Sequence, residues 1–473
     1  MRKIILSILI ITNGLIFGQG SKYSKILNEI DKQKERYAEV AQQIWSFAEM
    51  GYQEEQSSAL LQKTLSDSGF SIEVGVAEIP TAFVATYGSG APVIAILGEY
   101  DALPGLSQQA VPYKLSNKGK AGHACGHHLF GTASAAAAIA IKNYLVENNK
   151  SGTVKYYGCP AEEGGSGKVY MTRSGLFNDV DVALHWHADS RNSASVRPAL
   201  ANKSAKFRFY GVSAHAAAAP EKGRSALDAV EAMNMMVNMM REHVTESTRI
   251  HYVITQGGKA PNVVPDFAEV YYYARNKTRE EVVQVFDRIV AAAEGAAKGT
   301  GTTMDYEMIG GTHELLFNDI LQPMVHKNLQ TIGGYQYTAE EKAFAEKISE
   351  TLGVSLDTSF VEGVAPYETG GKPGGSTDVG DVSFAVPTAG LRAATWVPGT
   401  PAHSWQAVAA GGTDIGNKGM MVAAKTLALT AMQLIDNPKI INAAKEDFLQ
   451  KRGTDFKYTP MIGDRKPALD YRN

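Results

Sequence analysis

Apolar residues recur at helical spacing from the start of the folded chain: Ile26, Ile30, Tyr37, Val40, Ile44, Phe47, Leu60, Leu61 and Leu65. The pattern predicts helix over 23–65, broken near Gly51 and stopped by Gly69. Strands are then predicted over 71–76, 82–87 and 93–97. The last is a continuous apolar run of the kind found in a buried strand, and it delivers the loop Gly98-Glu99-Tyr100-Asp101-Ala102-Leu103-Pro104. A run of mostly small residues, Ala133 to Ala140, reads as a helix beginning near Gly131 and packed closely against a neighbour. Strands over 153–158 and 181–187 follow, the first ending at Cys159-Pro160-Ala161-Glu162-Glu163-Gly164-Gly165 and the second at His185-Trp186-His187. Strands alternating with helices predict an α/β sheet, in which chemistry gathers at the carboxyl ends of the strands.

Between 201 and about 311 the pattern changes. Strand 203–211, helix 225–241, strands 250–256 and 268–275, helix 278–297 and strand 303–308 give the order βαββαβ of a ferredoxin-like insertion. Helices resume from Leu315. A glycine-rich stretch at 370–380, a strand at 382–386, the loop Pro398-Gly399-Thr400-Pro401-Ala402-His403 and closing helices around 416–435 complete the chain. The first domain is therefore expected to resume after the insertion, giving units at 21–200, 201–312 and 313–473.

Residues 1–20 stand apart. Arg2 and Lys3 precede an apolar run, Ile4 to Phe17, and Gly18 and Gly20 form a small-x-small exit. That is the layout of a secretory signal peptide, short for a membrane span, and it predicts cleavage and export to the periplasm or beyond, with an uncleaved anchor as the alternative. The whole chain of 473 residues is 44% hydrophobic with net charge −3, and beyond residue 20 it is expected to be soluble and globular, with no nucleic-acid footprint. Two cysteines, Cys125 and Cys159, exclude a disulfide scaffold.

The chemistry concentrates in Gly122–Gly131, GHACGHHLFG. Cys125 and His127 place a soft thiolate and an imidazole two residues apart, flanked by His123 and His128, which suits a borderline divalent metal at a helix start. A packed helix start that happens to hold histidines is the plain alternative. Asp101, Glu162, Glu163 and His187 all fall at predicted strand ends. His185 competes with His187 on the same strand face, and the strand-end position favours His187. Arg275 closes a predicted strand of the insertion, where a guanidinium suits a substrate carboxylate. The methionines between Met233 and Met240 read as core or dimer packing. No Gly-x-Gly-x-x-Gly follows the first strand, so a dinucleotide-dependent oxidoreductase is disfavoured.

Seven ordered motifs, GEYDALPGLSQ, GHACGHHLFGT, PAEEGGSGK, GVSAHAAAAPEKGRSALDAVE, NVVPDFAEV, GGSTDVGDVS and PGTPAHSWQ, resemble the aminoacylase/carboxypeptidase superfamily of metallohydrolases, and within it the branch acting on aminobenzoyl-glutamate. The likeness runs from about Tyr37 to about Thr430. It implies an α/β metallopeptidase-type catalytic domain, with a mixed central sheet flanked by helices, carrying an inserted ferredoxin-like dimerisation domain. It also implies that Cys125, His127, Glu163, His187 and His403 hold two divalent ions (zinc or manganese, with cobalt able to serve) and that Glu162 is the general base. His215 would reach into a partner's active site and Asn262 would contact substrate, in a homodimer or in a hetero-oligomer with a related subunit. The activity implied is hydrolysis of an amide in an N-acyl or aminoacyl amino acid, best exemplified by p-aminobenzoyl-glutamate; a dipeptidase or N-acyl-amino-acid deacylase is the alternative. A non-catalytic metal or ligand binder on this fold is disfavoured, because a binder needs no free carboxylate such as Glu162. His128 departs from the family, which usually carries Asn or Asp there, and the signal segment is a second departure.

Overall fold

The computed structural model describes residues 23–115, 119–371 and 374–472, so the predicted signal segment lies outside the described residues. The strands in chain order are β1 (Ser71–Val74), β2 (Phe83–Ser89), β3 (Val93–Glu99), the short pair β4 (Leu103–Pro104) and β5 (Ala121–Gly122), β6 (Gly152–Cys159), β7 (Val182–Asp189), β8 (Ala201–Tyr210), β9 (Arg249–Gln256), β10 (Phe267–Asn276), β11 (Thr303–Thr312) and β12 (Thr388–Ala394).

Six of them form a mixed sheet in the order β1-β2-β6-β3-β7-β12. β6, β3, β7 and β12 run parallel, and β1 and β2 add antiparallel at one side. β3 lies inside the sheet, and Ile94, Ala95, Ile96 and Leu97 are all buried, as an unbroken apolar run requires of a strand covered on both faces. Because β3, β6 and β7 are parallel, their carboxyl ends deliver Asp101, Glu162, Glu163 and His187 to one edge.

The helix His127–Glu147 packs on this sheet with its alanines buried. A Cβ at position 131 would lie 2.7 Å from the Glu99 carbonyl oxygen, so the glycine lets the first turn of the helix approach the end of β3. The helix starts four residues before the predicted Gly131, because Gly126 turns the chain at φ 76° directly before His127. It is long and apolar enough to cross a membrane, yet most of it is buried inside the protein. The predicted helical stretch 23–65 divides into helices at 23–32, Lys34–Phe47 and Glu55–Ser66.

The second sheet is antiparallel, ordered β11-β8-β10-β9, with helices Ala226–Met240 and Arg279–Thr300 packed on one face. Alternation sets its two faces. Ala268, Val270, Tyr272 and Ala274 of β10 enter the core, while Tyr271, Tyr273 and Arg275 point the other way and line a cavity. The chain then returns to the first sheet as β12, beside β7.

One predicted strand is corrected. Residues 382–385 belong to the helix Val379–Ala385, and Val386 caps it; the apolar Val379, Val382 and Val386 fall at helical spacing. The sheet's last strand is β12, Thr388–Ala394, whose small residues and Arg392 give no apolar run; its pairing with β7 defines it. Beyond the final helix, Pro438–Arg452, the chain continues irregularly to 472.

Candidate active site

A cavity of about 1070 Å³ opens between the carboxyl edge of the first sheet and the free face of the second. At its floor, Cys125, His127 and His187 offer ligand atoms within 4.8 Å of one another, and so do Cys125, Glu163 and His403. Cys125 belongs to both trios. Its Sγ lies 3.3 Å from His187 Nε2. A third trio, Glu99, His127 and Glu162, contains no thiolate.

Asp101 ties the arrangement together. Its Oδ1 lies 2.8 Å from His127 Nδ1, and its Oδ2 accepts the backbone N–H of Glu163 at 2.9 Å. With Nδ1 held by Asp101, His127 presents Nε2 to the site. That nitrogen is buried and, although 3.0 Å from Glu99 Oε2, makes no hydrogen bond. Glu163 Oε1 is likewise buried without a hydrogen-bond partner, 3.2 Å from His403 Nε2. Unpartnered buried polar atoms are costly. Here they converge beside a thiol and further imidazoles, a donor set that fits two borderline divalent ions.

Electrostatics separate the roles. Burial, then the neighbouring Arg392, holds His187 well below the usual imidazole range, which favours the neutral form that ligates. Burial, then the charges of Glu99 and Glu163, pushes the Glu162 carboxyl well above the usual range. Burial opposes ionisation of Asp101, but the adjacent His127 and the hydrogen bonds keep its carboxyl below the ordinary value. Behind the site lies a fully buried ion cluster: Lys168 Nζ is 2.6 Å from Glu99 Oε1 and 2.7 Å from Asp378 Oδ1.

The backbone is bent to serve these groups. Ala161, Ser166 and His403 adopt positive φ of 56°, 62° and 61°, and Gly164 lies at 94°. Such conformations persist in non-glycine residues only where surrounding contacts hold them. The Ala124 carbonyl accepts the His403 N–H at 3.0 Å, which fixes the loop that brings His403 over Glu163.

The other sequence candidates fall as follows. His185 shares the His187 face of β7 and lines the cavity, but its ring packs on Gly390 and joins none of the ligand trios. His123 and His128 are buried side by side, ring centroids 4.9 Å apart, and bond the Ile44 and Gly411 carbonyls. His128, the departure from the family pattern, thus faces the protein interior. His215 and Asn262 sit together on the exposed surface of the inserted unit, outside the cavity of their own chain. Arg275 does line the cavity, stacked over Tyr273 at 5.3 Å.

Sequence reasoning missed Glu99, Lys168 and Asp378. Glu99 had a signal: it lies two residues before Asp101 in a motif already singled out. Lys168 and Asp378 also fall inside such motifs, but nothing in their spacing marks them as buried partners. Tyr471 and Arg472, which line the cavity from the far end of the chain, had none.

A family profile for a peptidase dimerisation domain of the M20 type matches residues 201–301. The chain is 40% identical to one of the p-aminobenzoyl-glutamate hydrolase polypeptides of Escherichia coli (strain K12), over 94% of this chain and 98% of that protein. It is 29% identical to the Xaa-Arg dipeptidase of Mus musculus, over 89% of this chain and 90% of that protein. Among solved structures it resembles a dinuclear metal-binding peptidase of the M20 family from Bacillus subtilis. The TM-score is 0.56 at 17% identity, covering 86% of this chain and 99% of that one.

Proposed function

The chain belongs to the M20 family of metallohydrolases, and from that premise we propose that it hydrolyses the amide bond of N-acyl amino acids with an acidic amino-acid side. The best candidate is p-aminobenzoyl-glutamate, cleaved to p-aminobenzoate and glutamate. Cys125, His127 and His187 would hold one divalent ion and Cys125, Glu163 and His403 a second, with the thiolate shared. Zinc suits the thiolate and imidazoles; manganese or cobalt suits a set that includes a carboxylate. When bound, two such ions would polarise the scissile carbonyl and lower the pKa of the attacking water. Glu162, in neither thiolate trio, takes the proton of that water and passes it to the leaving amine.

The observation that carries the substrate class is a set of three unpaired cations in the cavity, whose lining carboxylates are the candidate metal and base groups Glu163 and Glu162, the ion-paired Glu99, Asp378 and Glu307, and the exposed Asp470. Arg197, Lys206 and Arg275 line it without an ion-pair partner among the described residues. Unpaired guanidinium and ammonium groups in a partly closed cavity select carboxylates and repel cations. A glutamyl product carries two carboxylates, whereas the Arg side chain named for the mouse dipeptidase would meet like charge. Tyr271 and Tyr273 add flat aromatic surface on the same face.

Assembly and location follow as part of the proposal. Met235 and Met239 are exposed on the helix of the inserted unit, and Val253 and Ile254 on its edge strand β9. An edge strand beside apolar residues suits pairing with a second copy or a related polypeptide. The leader-like residues 1–20 support export, which N-terminal sequencing of the mature protein checks.

The test is a substrate comparison on the purified, metal-supplemented protein. Hydrolysis of p-aminobenzoyl-glutamate is expected to exceed that of p-aminobenzoyl-arginine and of Xaa-Arg dipeptides in kcat/KM. Arg275→Ala should raise KM for the glutamate compound about tenfold, the loss of roughly 1.4 kcal/mol of binding. A preference for the arginine compounds would overturn the assignment.

A further inference from the structure

The segment after Arg452 is pinned along its length. Tyr458 Oη donates to Asp381 Oδ1 at 2.7 Å, Arg173 Nη1 donates to the carbonyls of Gly463 and Arg465 at 2.9 and 2.8 Å, and Met461 and Ile462 are buried. It ends at the loop that carries Glu162 and Glu163. There the Tyr471 ring meets Tyr52 edge-on at 5.5 Å, and its hydroxyl fits over Gly51, where a Cβ would collide with it. Tyr471 Oη donates to the Glu163 carbonyl at 3.2 Å, and Arg472 Nη2 donates to the same oxygen.

That loop is tied at its two ends, where Glu54 Oε1 accepts the Ala161 N–H at 2.8 Å and Tyr52 Oη donates to the Gly165 carbonyl at 2.6 Å. It bends through positive φ at Ala161, Gly164 and Ser166, and it closes on two internal backbone bonds, Gly164 to Glu162 and Gly165 to Ala161. Asp101 holds the Glu163 N–H from one side. The terminal segment holds the Glu163 carbonyl from the other, so the peptide units flanking its Cα are both fixed from outside the loop. We infer that Tyr471 and Arg472 are positioning residues that set the Glu163 carboxylate for the ion it shares with Cys125 and His403. The inference rests on the two-ion reading of the site, and it is selective. The trio of Cys125, His127 and His187 does not include Glu163, so its ion should be indifferent to the terminal segment.

The experiment titrates metal-free protein with cobalt(II) chloride, followed by calorimetry and by thiolate-to-cobalt absorption. It compares the wild-type chain, a chain ending at Pro467, and the milder double variant Tyr471→Phe with Arg472→Gln. Wild type should bind two ions. In both variants one ion should bind about tenfold more weakly and the other within about twofold of wild type, as expected for loss of groups that orient a ligand. The thermal midpoint of the metal-free double variant should be unchanged. For any substrate the wild type hydrolyses, kcat should fall more than KM rises. Two ions bound at unchanged affinity would overturn the inference. So would equal weakening of both ions with a lowered midpoint, the sign of general support only. A wild-type chain that binds fewer than two ions would overturn the two-ion reading itself, whatever the variants do.

Discussion

Asp101 gives one oxygen to the His127 ring and the other to the Glu163 backbone, so a single buried carboxylate sets the direction of two candidate ligands that lie 36 positions apart. Replacing it with asparagine keeps the shape but removes the charge and one acceptor. Asp101→Asn is therefore expected to weaken metal binding about 10- to 100-fold, read by competition with a chromogenic chelator; unchanged affinity would show that His127 and Glu163 orient themselves. Glu162 has the opposite character: it belongs to neither thiolate trio, and burial and neighbouring acids raise its proton affinity. Glu162→Gln should cost about 10²- to 10⁴-fold in kcat with metal content by elemental analysis unchanged, and retained turnover would remove Glu162 from the base role. Cys125, His127, Glu163 and His403 were legible because each sits in a short motif whose residue types suit metal. Lys168 was not, because lysine is by type a surface residue, and only folding reveals that it is fully buried between Glu99 and Asp378.

At the scale of elements, the contact between the helix His127–Glu147 and the end of β3 places the first trio. Gly131 permits that approach, and a methyl group there would also lie 3.0 Å from the Leu61 side chain. Gly131→Ala should cost about 1–3 kcal/mol of stability through overpacking, measured by denaturant unfolding, and should lower metal affinity because the same helix carries His127. A neutral result would mean that the helix has slack. Elements with strong periodicity were readable: the unbroken apolar β3, the alternating β10 and the βαββαβ order of the insertion. β12 was hidden because its residues, TAGLRAA, carry no pattern, and only pairing with β7 defines it. The helix Val379–Ala385 was misread because a short apolar stretch fits either period.

For the whole molecule, the cavity joins two units that the chain order separates, since residues from the first sheet and from the inserted sheet line it together. His215 and Asn262 lie outside the cavity of their own chain, on the exposed face of the inserted unit. If the partner's His215 completes the site, mixing inactive Glu162→Gln and His215→Ala chains should restore part of the activity, with one wild-type site per mixed dimer. Failure despite proven exchange of chains would place His215 in cis. The α/β class and the insertion could be read from periodicity, but the terminal segment's return to the Glu163 loop could not, because contacts between residues some 300 positions apart leave no local pattern. The central claim, a two-ion amidohydrolase for an acidic N-acyl amino acid, is tested most directly by following p-aminobenzoate release from p-aminobenzoyl-glutamate while zinc or manganese is titrated into metal-free protein. The expected result is turnover that appears only as the second ion per chain binds, with one glutamate formed for each p-aminobenzoate. Two ions bound without any hydrolysis, or full turnover in the metal-free protein, would contradict it.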